Sequence, residues 1–314
     1  MRVEVLQTVE TLAVQDDRIV FLTGDLGYGV VESFFRRFPS RAFNAGVAEQ
    51  NMMAMATGLA ESGLIPFVYS IATFATLRPF EFIRNGPVIH QLPVRIIGVG
   101  GGLEYSNNGP THFALEDVGV LRTLPGLKII CPTDSPQASA AVAATYDEAG
   151  PIYYRLSKNH VDPANGTSGE WDAARVISRG DGTVAVVALG ATAGEFAEVA
   201  TLLADLGATP TFVSVSQVAP APTDLIASLA RAHSCLVTVE AHNVIGGLGS
   251  LVSEVVAEHG IGVRVRRLGV RAWPVGIVGS PAYLNRWAGI DAQSIADAVR
   301  DALAPGGDRE GIYR

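Results

Sequence analysis

At 314 residues, with 48% hydrophobic and 17% charged side chains, the chain can bury a large core and is long enough for two domains of ordinary size. Its net charge of −8 comes without any run of lysine or arginine, which argues against nucleic acid or an anionic membrane surface as a partner. The opening MRVEVLQTVETLAVQDD lacks the apolar core of a signal peptide, and no later segment is long and apolar enough to span a bilayer, so a cytoplasmic protein is expected. Cys131 and Cys235, the only cysteines, show neither CxxC nor metal-ligand spacing. Two buried small apolar residues are predicted, not a disulfide or a metal site.

In chain order, short apolar runs alternate with longer helical patterns. RIVFLTG (Arg18–Gly24), IPFVYS (Ile65–Ser70), VRIIGVG (Val94–Gly100) and LKIICP (Leu127–Pro132) read as strands of a parallel sheet covered on both faces. The loops at their carboxyl ends, GDLGYG, SIATF, GGGLEYSNNGPTH and PTDSP, are where such a sheet offers room for a ligand. Between the first two runs, Glu49 opens an apolar helix, with Met52, Met53, Met55, Ala56 and Leu59 behind it. There the helix dipole favours the ionised carboxylate and burial favours the neutral acid, so the two effects oppose each other.

The stretch HVDPANGTSGEWD (His160–Asp172) has no periodicity and is rich in turn formers, which marks a linker. A second αβ series follows, with TVAVVALG, TPTFVSVS, SCLVTVEA and GVRVRRLGV as strands. AGEFAEVATLLADLG and Leu251–His259 are its helices. The expected fold is α/β with two doubly wound domains, residues 1–160 and 173–305, joined by a linker at 161–172 and ending in a polar tail at 306–314. The Gly-rich pieces GDLGYG and GVGGGLEY fail the GxGxxG spacing, so no dinucleotide fingerprint is present.

Four segments, FNAGVAEQNMMAMATGLAESG, ATFATLRPFEFIRN (Ala72–Asn85), NGPTHFALEDVGVLRTLPGLKIICPTD (Asn108–Asp134) and PIYYRLSK (Pro151–Lys158), together resemble the pyrimidine-binding domain of thiamine diphosphate enzymes of the transketolase group. That group includes 1-deoxyxylulose 5-phosphate synthase. VTVEAHNVIGGLGS (Val237–Ser250) resembles the C-terminal domain of the same group. The resemblance implies a transferase that moves a two-carbon ketol or acyl unit from a ketose phosphate or 2-oxo acid to an aldehyde. In that family the cofactor carries the hard step, and a glutamate hydrogen-bonded to its pyrimidine ring supports the proton transfer that activates it.

Carried over residue by residue, Glu49 becomes that glutamate, Phe74 the ring stacked on the pyrimidine, and Asp25, Arg78 and Ile71 further cofactor contacts. His112, in NGPTH, becomes the group that touches substrate hydroxyls or shuttles a proton, with Asn108, Lys158 and Arg2 as substrate contacts and Arg155 as a further possible anion contact. The chain departs from the family pattern at Gly100, Asn108 and Lys158, where many members carry histidine, aspartate and a phosphate-binding arginine, which leaves the substrate open. The family's GDG…N diphosphate site has no counterpart, because Leu26 follows Gly24-Asp25 and Asn51 lies inside the helix. Magnesium and the diphosphate are therefore expected on a separate N-terminal subunit, in an α2β2 heterotetramer, and this chain is expected to hold no metal. Two alternatives remain open: a β subunit of a 2-oxo acid dehydrogenase decarboxylase component, and a non-catalytic interaction module of the same fold.

Overall fold

Each predicted apolar run becomes a strand, because continuous Val, Ile and Leu stretches can bury both faces of a parallel sheet. A computed structural model of the protein describes residues 1–163, 170–207 and 209–304. Residues 164–169 of the expected linker and the whole expected tail, 306–314, lie outside the described residues. The first sheet comprises β1 (Ile19–Thr23), β2 (Ala42–Asn44), β3 (Ile65–Ile71), β4 (Arg95–Val99), β5 (Lys128–Ile130) and β6 (Ile152–Leu156). The second comprises β7 (Ala174–Ser178), β8 (Val184–Leu189), β9 (Thr211–Val215), β11 (Cys235–Asn243) and β12 (Arg264–Val270). A short strand β10 (Gln217–Ala219) leaves the second half of the chain and pairs antiparallel with β5, so the first sheet runs β10-β5-β6-β4-β3-β1-β2. The second runs β12-β11-β8-β9-β7, with β7 antiparallel and the rest parallel. All residues of β1, β3 and β4 are buried.

The opening segment, in which the sequence showed only the lack of a signal peptide's apolar core, is a helix, Arg2–Gln15. Val5, Val9 and Ala13 recur every four residues and are fully buried, which is the stripe a helix needs to dock on a sheet. The charge at Glu10 sits inside this face because Ser33 and Arg37 both donate to its Oε2 at 2.9 Å.

The helix that carries Glu49 runs from Glu49 to Glu61. The chain leaves β2, turns at Gly46 in the left-handed region (φ 72°), and starts the helix without a capping side chain at Ala48. Its buried residues, Glu49, Met52, Met53, Ala56 and Ala60, lie on one helical stripe. Burying Met52 and Met53 contributes about 1.5–3 kcal/mol each, which anchors Glu49 one turn away. Among the described residues no helix is long and apolar enough to cross a membrane, and both cysteines are free and buried.

The two sheets are joined through the loop between β4 and the short helix Asp117–Leu121. Leu103, Phe113 and Leu115 of this loop pack with Val270 and Leu284 of the second half. Asn243 N–H donates to Leu115 O at 2.8 Å, and Arg122 Nη1 donates to Gly246 O at 2.6 Å. Gly102 approaches so closely that a Cβ there would stand 2.6 Å from Ala241 O.

Candidate active site

The carboxyl ends of β1 and β3 bring the first group of predicted residues together. Gly24 follows β1 beside the start of the Glu49 helix, so that a Cβ on it would lie 3.7 Å from Glu49 Oε1. Asp25 follows with φ 60°, a conformation that aspartate tolerates better than most residues. Asn44, at the end of β2, holds it there. Asp25 N–H donates to Asn44 Oδ1 at 3.1 Å, and Asn44 Nδ2 donates to Asp25 Oδ1 at 2.9 Å. Asn44 was not singled out from the sequence, although an Asn at a strand end before Ala-Gly is a turn signal.

After β3 the expected loop is a short helix, Ala72–Thr76, whose N-terminal cap is Ile71. Ile71 is 7% exposed and closes the floor, while Phe74 on the helix is half-buried. Arg78 follows two residues after the helix and reaches back over both neighbours. Its Nη1 lies 2.9 Å from each oxygen of Glu49, and its Cζ lies 3.8 Å from the centre of the Phe74 ring. The Glu49 side chain is 2% exposed and that of Arg78 45%.

His112 stands edge-on to Phe74, with ring centres 5.1 Å apart, and its Nδ1 is 2.9 Å from Thr111 Oγ1. Tyr105 lies beyond it, 6.1 Å from centre to centre, and Lys158 Nζ sits 4.7 Å over the Tyr105 ring. Burial pushes the Tyr105 phenol up to about 12. Arg2 acts electrostatically on both Tyr69 and Tyr105, which brings it to the same end of the site as Lys158. Tyr105 was not singled out from the sequence; in the structure a Cβ at position 100 would come within 2.2 Å of its ring. Asn108 closes a turn of 3-10 helix, Ser106–Asn108, on the same loop as His112, with its side chain exposed.

Arg155 is not an anion contact in the site. It is turned inward, with Nε 2.7 Å and Nη2 3.2 Å from the two oxygens of Asp117 and Nη2 also donating to Ala114 O and Ala241 O at 2.9 Å. Tyr153 OH donates to Asp117 Oδ2 at 2.7 Å. Burial would raise the Asp117 carboxyl, but the Arg155 charge, the nearby His242 and these bonds hold it below the ordinary carboxylate range. Behind this cluster, His242 Nε2 accepts from Gly119 N–H at 3.2 Å, and Glu240 accepts from Leu248 and Gly249 N–H at 2.7 and 2.9 Å. Burial pushes Glu240 up to about 7 and His242 down to about 4. A cleft of about 170 Å³ between the two halves, lined by Glu104, Arg155, Thr192, Glu195 and Asn285 among others, includes neither Glu49 nor Phe74.

Glu49 and Phe74 therefore converge on one flat, hydrogen-bond-donating group, a role that the guanidinium of Arg78 fills here. An aminopyrimidine is also flat and, when protonated at its ring nitrogen, also presents an N–H to a carboxylate, so the residues present fit the pyrimidine half of thiamine diphosphate. Among the described residues no three His, Cys, Asp or Glu side chains cluster as metal ligands do.

Residues 1–163 match the family model described as "Transketolase, pyrimidine binding domain", and residues 173–295 match "Transketolase, C-terminal domain". The chain is 34% identical over 291 residues to a 6-deoxy-6-sulfo-D-fructose transketolase subunit of Clostridium sp. (strain MSTE9), covering 92% of this chain and 90% of that one. It is 30% identical over 268 residues to a subunit of the apulose-4-phosphate transketolase of Actinobacillus succinogenes, covering 85% and 86%. A solved structure described as a split gene transketolase, inactive β4 tetramer, superposes with a TM-score of 0.84 at 33% identity, covering 96% of each chain.

Proposed function

The chain belongs to the transketolase family, and we propose that it is the C-terminal subunit of a split, thiamine diphosphate-dependent enzyme that transfers a two-carbon unit from a ketose phosphate or 2-oxo acid to an aldehyde. Residues 1–160 are its pyrimidine-binding domain and residues 173–305 its C-terminal domain. The observation that carries this reading is the convergence of the buried Glu49 carboxylate and the Phe74 ring on one planar group. The relatives support it, since two are named as transketolase subunits of nearly this chain's length.

When bound, thiamine diphosphate supplies the nucleophilic carbon that carries the two-carbon unit. Glu49 holds the proton-sharing end of the pyrimidine in a site that water scarcely reaches, and Phe74 fixes the ring plane. Asp25 and Ile71 flank that ring, and Arg78 meets it from the exposed mouth of the seat. His112 has Nδ1 engaged with Thr111, which leaves Nε2 to exchange a proton with a substrate hydroxyl. Lys158, Arg2 and Asn108 line the side from which a polar or anionic substrate would be read, lysine acting as a point charge without arginine's fork.

The diphosphate and its magnesium belong on an N-terminal partner subunit, in an α2β2 assembly. Supporting this division, the structurally similar split transketolase is described as inactive when it is a β4 tetramer. The test is to purify the chain from its native host under mild conditions and identify co-purifying protein and cofactor by mass spectrometry. A partner carrying a GDG…N motif, together with thiamine diphosphate, is expected. A chain that emerges alone and cofactor-free, and stays so when co-expressed with its neighbouring subunit, would contradict the proposal.

A further inference from the structure

We infer that Arg78 is a displaceable occupant of the pyrimidine seat, so that the cofactor ring can enter only when the guanidinium leaves Glu49 and Phe74 together. This rests on the reading of Glu49 and Phe74 as that seat and adds a competition within it.

The two contacts by which the seat would recognise a stacked, hydrogen-bond-donating ring are both made by one side chain of the same protein. Arg78 Nη1 is equidistant, at 2.9 Å, from the two Glu49 oxygens, and Cζ is 3.8 Å from the Phe74 centre. At that distance the guanidinium lies in contact over the ring, so a second flat group cannot share that face. His112 approaches Phe74 edge-on, which narrows the alternatives further.

Arg78 can leave at low cost. Its side chain is 45% exposed, so the charge can rotate into water without being stripped of solvent, and a half-exposed ion pair with a cation–π contact is a weak hold. Its backbone is fixed between the Ala72–Thr76 helix and Pro79, the residue preceding the helix Phe80–Ile83. The exchange therefore needs only side-chain rotation. An occupied seat lowers apparent affinity by the fraction of time it is closed.

The test titrates the full chain with 4-amino-5-hydroxymethyl-2-methylpyrimidine, the ring half of the cofactor without its diphosphate, followed by saturation-transfer NMR. Wild type is compared with Arg78→Met, Arg78→Gln and Phe74→Ala, each checked for folding by circular dichroism. Both Arg78 variants should bind about tenfold more tightly than wild type, and Phe74→Ala more weakly. Added salt should tighten binding to wild type and leave Arg78→Met unchanged, because it loosens the ion pair that closes the seat. If the Arg78 variants bind as wild type or worse while Phe74→Ala still weakens binding, the seat is correctly read and Arg78 is not its occupant, which overturns the inference alone. If no variant binds the ring, or Phe74→Ala binds as wild type, the seat itself is wrong and the inference falls with it.

Discussion

Two arginine–carboxylate pairs in this protein have similar contact distances and opposite meaning. Arg155 and Asp117 are 8% and 0% exposed, and Tyr153, Ala114 and Ala241 hold them as well. Arg78 and Glu49 are 45% and 2% exposed, and among the described residues the carboxylate accepts from that one nitrogen alone. The first pair is a girder between the sheets, since leaving either charge alone in that interior would be costly. The second is a contact that another ligand can take over. The difference lies in how many other groups hold each member, not in the pair distance, which is 2.7 Å in one and 2.9 Å in the other.

Neutralising each carboxylate or its partner in turn separates the two pairs. Glu49→Gln keeps the shape of the seat and should lower turnover of the assembled enzyme about a hundredfold to ten-thousandfold, the range of a lost acid–base group, with an unchanged urea midpoint. Arg155→Met should do the reverse, destabilising the chain by about 3–5 kcal/mol because Asp117 is left buried and unpaired. Arg78→Met should cost less stability than Arg155→Met, because removing the half-exposed Arg78 side chain opens Glu49 to water instead of leaving it sealed in the interior. Urea titrations of the two arginine variants would show equal losses if the two pairs were equivalent.

The girder also predicts a pH signature. His242 is held neutral, at about 4 against an ordinary 6.5, so the unfolded chain takes up that proton first and stability falls as pH drops from 6.5 to 4. Glu240 is raised from 4.5 to about 7, so the native chain keeps its proton longer and stability falls as pH rises from 4.5 to 7. The two slopes oppose each other, so these two contributions should nearly cancel in wild type between them. Glu240→Gln should expose the histidine slope, losing roughly 3 kcal/mol between pH 6.5 and 4, and His242→Gln should expose the opposite slope. Thermal melts across this range would contradict the account if Glu240→Gln stayed flat. The smallest effect is at Phe74→Ala, where lost stacking of about 0.5–1.5 kcal/mol should weaken cofactor binding severalfold in a calorimetric titration of the complex.

Much of this was legible in the sequence. The strands stood out as unbroken apolar runs, and Glu49, Phe74 and His112 were picked out by the resemblance of their segments to the transketolase group. What stayed hidden depends on distant residues. The first helix was masked by Arg2, Glu4 and Glu10, because the partner that makes Glu10 tolerable, Arg37, is 27 residues away. TPTFVSVS read as one strand, yet the chain passes on through Ser216 to pair Gln217–Ala219 with the other sheet. Arg155 was expected as a possible anion contact because Asp117, 38 residues earlier, could not be assigned to it. The Arg78–Glu49 contact, 29 residues apart, was likewise beyond any local pattern.

The role of Glu49 is tested at its source by the rate at which the C2 proton of thiamine diphosphate exchanges with deuterium in the assembled complex, read by NMR after acid quench, for wild type and Glu49→Gln. With cofactor still bound in both, exchange should slow by about a hundredfold or more in the variant, because Glu49 is the group that shares the activating proton. Equal exchange rates in the two proteins would remove Glu49 from that role and contradict the assignment of this site.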